Sequence, residues 1–285
     1  MTEQIEPIVD QAWLAERRDD VLLADVRWYL DGRSGYDAYL AGHLPGAVWV
    51  DLDSDLSGPP APGEGNHPLL DPATFAERLG GLGIGDDTTV VAYDDSGGGY
   101  AARLVWLLRR LGGPAALLDG GTTAWTGPLE TGPVTPTPRP RTAVDWPAEL
   151  IRSADEVGAG SEVLLDARDH DRFTGAAAPA PGTRPGHVPG ARSAPWRGNL
   201  ADDGRFADDA TLRARYAALG VTEDTDVVVY CGSGVTACHD LLALERIGVR
   251  AAALYPGSWS AWGADPAREA ELGDVTPTDT KGAPR

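Results

Sequence analysis

Two residue types that often carry function are nearly absent from this chain, which has two cysteines and one lysine, Lys281, among 285 residues. Two cysteines exclude a disulfide framework. Because the only lysine lies near the C-terminus, we expect any cationic contact with a substrate to come from arginine. A chain of this length, with 42% apolar residues, is long enough to build two domains with packed cores.

Long apolar segments are also absent. Residues 1–20 combine acidic and polar side chains without a sustained apolar stretch, so no secretory signal is predicted, and no run elsewhere reaches membrane length. The formal net charge of -19 argues against nucleic acid or an anionic membrane as a partner, because both are bound through basic patches. We therefore expect a soluble, cytoplasmic protein.

Cys231 is the more informative cysteine. The β-branched run Asp226–Tyr230 predicts a buried strand, and the helical spacing of apolar residues over Val235–Ile247 predicts a helix. Cys231 then lies where the strand ends, and the amides of the Gly232–Gly234 turn can point at its sulfur and favour thiolate over thiol. A cysteine before a Gly-x-Gly turn is thus predicted to be a nucleophile rather than a small buried hydrophobe.

Cys238 has no such setting, and we predict that it packs in the core rather than taking part in redox chemistry. Positions seven apart on a helix are separated by about 10 Å, which is too far for a disulfide between Cys231 and Cys238.

The chain repeats itself. Four segments of the first half return in the same order in the second: Leu23–Arg27 as Leu164–Arg168, Gly42–Ala47 as Gly186–Ala191, Val90–Asp94 as Val228–Cys231, and Leu118–Trp125 as Tyr255–Trp262. Such echoes predict a duplicated domain. A proline-rich segment between the halves has the composition of an extended linker. The predicted boundaries are 1–130 and 149–285 for the domains and 131–148 for the linker.

Short apolar runs alternate with helical patterns in each half. In the first half the predicted order is a strand at Val21–Val26, a helix opened by Asp71-Pro72, a strand at Thr88–Tyr93, a helix at Tyr100–Leu111 and a strand at Ala115–Leu118. This alternation predicts an α/β fold with a mainly parallel sheet flanked by helices in each domain. Ligands bind beyond the C-terminal strand edges of such sheets, where Cys231 lies. Asp94 holds the matching position in the first half, which is therefore predicted to be non-catalytic.

The segment Cys231-Gly-Ser-Gly-Val-Thr236, together with the duplication, resembles the active loop of tandem-domain rhodanese-like sulfurtransferases. It is closest to the 3-mercaptopyruvate sulfurtransferase branch, since thiosulfate-preferring members typically place basic residues after the cysteine. The two Gly-His-hydrophobic-Pro-Gly-Ala elements agree with this family. The resemblance implies an enzyme that moves sulfane sulfur from 3-mercaptopyruvate or thiosulfate, through a Cys231 persulfide, to cyanide or a thiol, either a small thiol or a thioredoxin-like protein.

The resemblance also implies the site residues. A Ser-His-Asp relay would consist of Ser233, His67 and Asp53, so the site would lie between the two domains. Arg172 matches the arginine that grips the substrate carboxylate, and Arg184 is the nearest, displaced candidate for the family's second substrate arginine. Further substrate contacts are implied for four loop residues and two aromatic residues: Gly232, Gly234, Val235, Thr236, Trp28 and Tyr100. His43 and His187, present in both halves, are expected to maintain the fold.

Several alternatives stay open on the sequence alone. A cysteine phosphatase would carry Cys-x5-Arg, and the sixth residue after Cys231 is Ala237, which argues against that class. A thiosulfate-preferring sulfurtransferase, or a persulfide-relay or binding module that acts on a protein partner, would have the same loop. No cofactor or metal is predicted, because the cysteines lack zinc spacing and the glycines at 97–99 are not followed by a Walker lysine.

Overall fold

A computed structural model describes residues 5–160 and 162–274 of the chain. Lys281 and the outermost residues of both predicted domains lie outside the described residues. Each half of the chain forms an α/β unit whose paired strands all run parallel. The predicted fold class is therefore confirmed.

The first half builds a five-stranded sheet in the order β1-β5-β4-β2-β3. Its elements are β1 Ile8–Val9, α1 Gln11–Glu16, a 3-10 turn Arg18–Asp20, β2 Leu22–Asp25, α2 Gly35–Ala41, β3 Val48–Trp49, α3 Pro72–Gly81, β4 Val90–Tyr93, α4 Ala101–Arg110 and β5 Ala115–Leu118.

The second half repeats this topology with a four-stranded sheet in the order β7-β6-β8-β9. A single parallel bridge from Ile151 to Leu254 takes the place of an edge strand like β1. The elements are a 3-10 turn Ala148–Leu150, α5 Ala154–Ala159, β6 Val163–Asp166, α6 His170–Thr174, β7 Arg192–Ser193, a 3-10 turn Trp196–Asn199, α7 Asp209–Ala218, β8 Val227–Tyr230, α8 Ala237–Arg246, β9 Ala252–Leu254 and α9 Ser258–Trp262. Residues 131–147 between the halves contain no helix or strand, and the predicted domain boundaries stay predictions.

Local sequence explains where the helices begin. The Asp71 carboxylate accepts a hydrogen bond from the Thr74 amide, and Pro72 is the first residue of α3, a position where its missing N–H costs nothing. Ser153 and Glu156 form a capping box at α5. The central strands β4 and β8 are buried throughout, which is why their sequences are continuous apolar runs rather than alternating ones.

The two halves share one hydrophobic core. Helix α4 of the first half packs on α8 of the second, and the largest buried apolar cluster contains Leu104 and Leu108 from α4 together with Leu241 and Leu244 from α8. At the edge of this contact, Arg109 Nε donates to Glu245 Oε1 at 2.8 Å. The halves are thus held by burial of apolar surface, the dominant stabilising term in folding, and a site between them can be rigid.

His43 and His187 occupy equivalent buried positions in the two halves. Each Nδ1–H donates to a backbone carbonyl 2.9 Å away, that of Tyr39 or Phe173, and each ring stacks on the ring of that same residue. This equivalence agrees with an expected role in the fold. Among the described residues, no helix combines the length and apolar character needed to cross a membrane.

Candidate active site

The loop after β8 presents the sulfur of Cys231 to a backbone amide. The Gly234 N–H donates to Cys231 Sγ at 3.2 Å. Gly234 adopts a left-handed φ of 77°, and a Cβ there would approach the Pro256 carbonyl oxygen to 2.6 Å, so the turn requires glycine. The predicted helix begins at Ala237 rather than at Val235, because Val235 and Thr236 belong to this loop.

Ser258 supports the loop from behind. It is the only non-glycine residue with a positive φ, 51°, in the part of the chain that the structure describes. Its hydroxyl accepts the Cys231 N–H at 3.1 Å and donates to the Tyr255 carbonyl at 2.9 Å. Amides of the next two residues, Trp259 and Ser260, bond the carbonyls of the cysteine and of the residue after it. A strained backbone at such a position is typical of functional sites.

The equivalent loop of the first half is filled by its own carboxylate. Asp94 follows β4 as Cys231 follows β8, and it is completely buried. Burial raises the pKa of Asp94, while hydrogen bonds from four amides oppose that change. The donors lie 2.8 to 3.0 Å from its oxygens and belong to Ser96, Gly98, Tyr100 and Ala101. A loop of this shape can therefore bind an anion through its backbone amides. In the second half, the sulfur of Cys231 lies next to such an amide, that of Gly234.

The structure brings the three residues of the predicted relay into contact. His67 Nδ1 lies 2.7 Å from Ser233 Oγ, and His67 Nε2 lies 3.0 Å from Asp53 Oδ1. Burial lowers the pKa of His67, the charge of Arg103 adds to that effect, and Asp53 opposes it. Because a carboxylate only accepts, neutral His67 carries its proton on Nε2, and Nδ1 accepts the Ser233 hydroxyl. Trp28 Nε1 donates to Asp53 Oδ2 at 3.1 Å and orients the carboxylate.

A cavity of about 710 Å³ opens above this contact, with walls from both halves. Trp28 and Tyr100 form one wall, with ring centroids 5.2 Å apart. The other predicted residues that line the cavity are Cys231, Gly232, Ser233, Val235, Thr236, His67, Asp53 and Arg172. Gly234 is not among them, since its amide is turned toward the sulfur.

Arg172 offers a free guanidinium beside the cysteine loop. It lies on α6, and a Cβ on Gly232 would lie 3.7 Å from Arg172 Nη2. Among the described residues, its guanidinium has no hydrogen-bond or ion-pair partner within bonding distance. A planar fork of free N–H donors can bind a carboxylate bidentately.

Arg184 does not reach the cavity, contrary to the expectation for a second substrate arginine. Its guanidinium donates to the Arg268 carbonyl, and its own carbonyl accepts from Trp259 Nε1 at 3.0 Å. These contacts hold Arg184 against the C-terminal part of the second half. A different arginine, Arg197, lines the cavity and stacks 4.4 Å over the Trp196 ring. No motif marks Arg197 in the sequence, so pattern analysis missed it.

Cys238 is completely buried, and its Sγ–H points at the Gly234 carbonyl at 3.5 Å. Burial raises the pKa of Cys238 to about 12. Both cysteines are free thiols. This environment agrees with a packing role for Cys238. Within the described ranges, no three His, Cys, Asp or Glu side chains converge as metal ligands.

A cysteine sulfur bonded by a backbone amide, a Ser-His-Asp contact that reaches in from the neighbouring half and an unpaired guanidinium share one cavity. This arrangement on a duplicated α/β fold is the one expected of a thiol-dependent transferase. The model of the rhodanese-like domain matches residues 10–128 and 147–265. The chain belongs to the rhodanese-like family, and both halves are members of it.

Full-length relatives place the chain among two-domain sulfurtransferases. It is 42% identical over 265 residues to a Mycobacterium tuberculosis protein named "Putative thiosulfate sulfurtransferase SseB", a match that covers 90% of this chain and 93% of that one. It is 36% identical over 267 residues to the 3-mercaptopyruvate sulfurtransferase of Escherichia coli, covering 88% and 93%. The structure of 3-mercaptopyruvate sulfurtransferase from Leishmania major superposes with a TM-score of 0.81 at 30% identity, covering 90% of this chain and 73% of that one. The chain is therefore a sulfurtransferase, and the implied enzyme class is confirmed.

The two cysteines should differ sharply in reactivity. We expect iodoacetamide at pH 8 to alkylate Cys231 in the native protein, because its sulfur lines the cavity, and to leave Cys238 unmodified until the protein is denatured. Peptide mass spectrometry before and after denaturation measures both sites. Native labelling of Cys238 at a rate equal to that of Cys231 would contradict this description of the two sulfurs.

Proposed function

We propose that the protein transfers a sulfur atom from 3-mercaptopyruvate, and less efficiently from thiosulfate, to a thiol or to cyanide, and that this atom is carried as the sulfane sulfur of a persulfide on Cys231. The observation that carries the proposal is the contact of 2.7 Å between His67 and Ser233, which joins a proton relay from the first half to the cysteine loop of the second. In this proposal the second half is catalytic and the first half completes its site.

In the proposed reaction, sulfur passes first from the donor to Cys231 and then from Cys231 to the acceptor. The Cys231 thiolate attacks the sulfur of 3-mercaptopyruvate, an S–S bond forms, and the substrate's C–S bond breaks to release the enolate of pyruvate. The thiol proton of the substrate passes through Ser233 and His67 and returns to the enolate carbon. An acceptor thiolate then attacks the outer sulfur, and the Cys231 thiolate leaves.

The loop is suited to the persulfide. Cys231 Sγ accepts a hydrogen bond from one amide, and the amides of Ser233 and Val235 donate no hydrogen bond among the described residues. The equivalent amides of Ser96 and Gly98 bind a carboxylate oxygen of Asp94 in the first half. An anionic outer sulfur would therefore find donors already oriented, which is the usual basis of stabilisation in such sites.

Two features bear on the choice of donor. Arg172 can bind the carboxylate of 3-mercaptopyruvate, and the loop from Gly232 to Ala237 contains no basic residue to attract the thiosulfate dianion. A thiosulfate-preferring enzyme is the second candidate, favoured by the name of the mycobacterial relative and by Arg197 at the cavity wall. We propose a small thiol or a thioredoxin-like protein as the acceptor.

Sulfur should be found on one cysteine only. After incubation with 3-mercaptopyruvate and gel filtration, we expect mass spectrometry to detect one added sulfur on the peptide that contains Cys231. Cys231→Ser should abolish transfer, and the matched variant Cys238→Ser should retain most activity, because only Cys231 opens to the cavity. Sulfur on Cys238 alone would refute the assignment.

Arg172→Ala should raise KM and lower kcat/KM for 3-mercaptopyruvate by roughly 10- to 150-fold, which corresponds to about 1.5 to 3 kcal/mol for a charged hydrogen bond. Arg172→Lys should recover part of the loss, since an ammonium lacks the bidentate fork. Arg184→Ala is the control and should leave the kinetics unchanged, because the Arg184 guanidinium is bonded to the Arg268 carbonyl and does not line the cavity. A kinetically silent Arg172→Ala would assign the carboxylate to another cation.

His67→Ala should depress transfer from 3-mercaptopyruvate far more than transfer from thiosulfate. The enolate of pyruvate must be protonated as it leaves, whereas sulfite leaves as a stable anion without an acid. Steady-state rates with both donors, each with cyanide as acceptor, give the diagnostic ratio. Equal losses with both donors would indicate a packing defect between the halves, and no loss with either would remove His67 from the mechanism.

A further inference from the structure

Arg103 is a charged residue in the shared core beneath the candidate active site. It is the third residue of α4, and its side chain has no solvent exposure. All of its hydrogen bonds go to backbone carbonyl oxygens. Nη1 donates to that of Gly234 at 2.9 Å, and Nη2 donates to that of His67 at 2.9 Å. Nη2 and Nε both donate to that of Leu56, at 3.0 and 3.2 Å. One guanidinium thus joins the histidine loop of the first half to the cysteine loop of the second.

No carboxylate balances this charge. Among the described residues Arg103 forms no ion pair, and its neighbours on α4 are buried apolar residues. Burial lowers the pKa of the Arg103 guanidinium, and the sulfurs of Cys238 and Cys231 act in the opposite direction. Burying an unpaired cation is costly. A nearby anion would offset the cost of burying this positive charge. The sulfur of Cys231 is a nearby group that becomes anionic in the proposed transfer.

The duplicated fold supplies an internal comparison. His239 is the third residue of α8, as Arg103 is of α4, and its Nε2 bonds the carbonyl of Gly97 at 3.1 Å. Gly97 is the third residue after Asp94, as Gly234 is the third after Cys231, and both glycines have a left-handed φ. The third residue of each helix therefore forms a hydrogen bond with the carbonyl of the equivalent glycine in the loop of the other half.

The two equivalent side chains differ in charge. Burial lowers the pKa of His239 to about 3, so this residue is neutral at physiological pH. It faces a loop whose anion, the Asp94 carboxylate, already accepts four amides. Arg103 keeps a permanent cation opposite the loop whose sulfur has one amide donor at rest. The positive charge of Arg103 therefore lies next to the Cys231 loop, where negative charge develops in the proposed transfer.

We infer that Arg103 is a positioning residue for sulfur transfer: it holds the peptide group between Gly234 and Val235 in the cysteine loop, holds the backbone of His67 beside that loop, and supplies the counter-charge for the anionic sulfur. The inference rests on the proposed role of Cys231. The first half would then contribute Arg103 to the site in addition to His67 and Asp53. Arg103 acts through backbone groups and does not touch the substrate.

The test compares three folded variants of the full chain. Arg103→Met removes charge and donors, Arg103→Lys keeps the charge, and Arg109→Met is the control. Arg109 lies on the same helix with 8% of its side chain exposed and bonds Glu245 across the same contact. The readouts are the rate of Cys231 alkylation by iodoacetamide at pH 7, which needs no sulfur donor, and kcat and KM for transfer to cyanide.

We expect Arg103→Met to slow alkylation by about 10-fold, through loss of a nearby charge, and kcat by about 100-fold, as for the loss of an oriented donor, with little change in KM. Arg103→Lys should restore alkylation but only part of kcat, since an ammonium cannot reach three carbonyls in fixed geometry. Arg109→Met should preserve both rates, even if its Tm falls.

Wild-type alkylation in folded Arg103→Met would overturn the inference, as would equal losses in Arg109→Met. If Arg103→Met does not fold, Arg103→Lys decides: retained alkylation with reduced kcat supports the inference, and unchanged kcat refutes it. If the wild-type protein transferred sulfur from neither donor, the proposed function would fail, and the alkylation rates would still report on Arg103.

Discussion

The packing of α4 against α8 is the contact on which the rest of the site depends. Cys231 and Ser233 belong to one half and His67 and Asp53 to the other, and the hydrogen bond of 2.7 Å between His67 and Ser233 tolerates little relative movement of the halves. A shared apolar core supplies the necessary rigidity, since close-packed interiors resist displacement. The halves are duplicated in sequence, but they share one core and one cavity.

The two equivalent loops differ in the side chain that follows the central strand. Both loops follow the central strand of a parallel sheet and both turn at a left-handed glycine. The Asp94 side chain accepts hydrogen bonds from four amides of its own loop, so these donors are already occupied. In the second half, Cys231 lines the cavity, and the amides of Ser233 and Val235 would be available to bind a transferred sulfur atom.

Sequence patterns predicted the central strands and the longer helices well, because these strands are buried apolar runs and these helices have apolar residues at helical spacing. The short elements β1, α1, α2 and β3 were not predicted. The strand expected at Ala115–Leu118 and the helix expected at Tyr100–Leu111 agree with β5 and α4 to within one residue at each end. The proximity of His67 to Ser233 could be inferred only from resemblance, because 166 residues separate them in sequence. Sequence could not place the Arg184 guanidinium, because its partner is the Arg268 carbonyl, which folding brings near. Arg103 was missed because its partners are also carbonyls distant in sequence. Contacts between a side chain and a distant backbone group leave no periodic pattern in the sequence.

The reciprocal contacts made by Arg103 and His239 have the form of an isologous interface, in which the same surface patch serves both partners. In a homodimer of identical halves, one codon would specify both residues, and a cation opposite one loop would appear opposite the other as well. Joining the halves in one chain removes that restriction. One position can carry a permanent charge while its counterpart stays neutral, which no symmetric dimer of a single gene product can achieve.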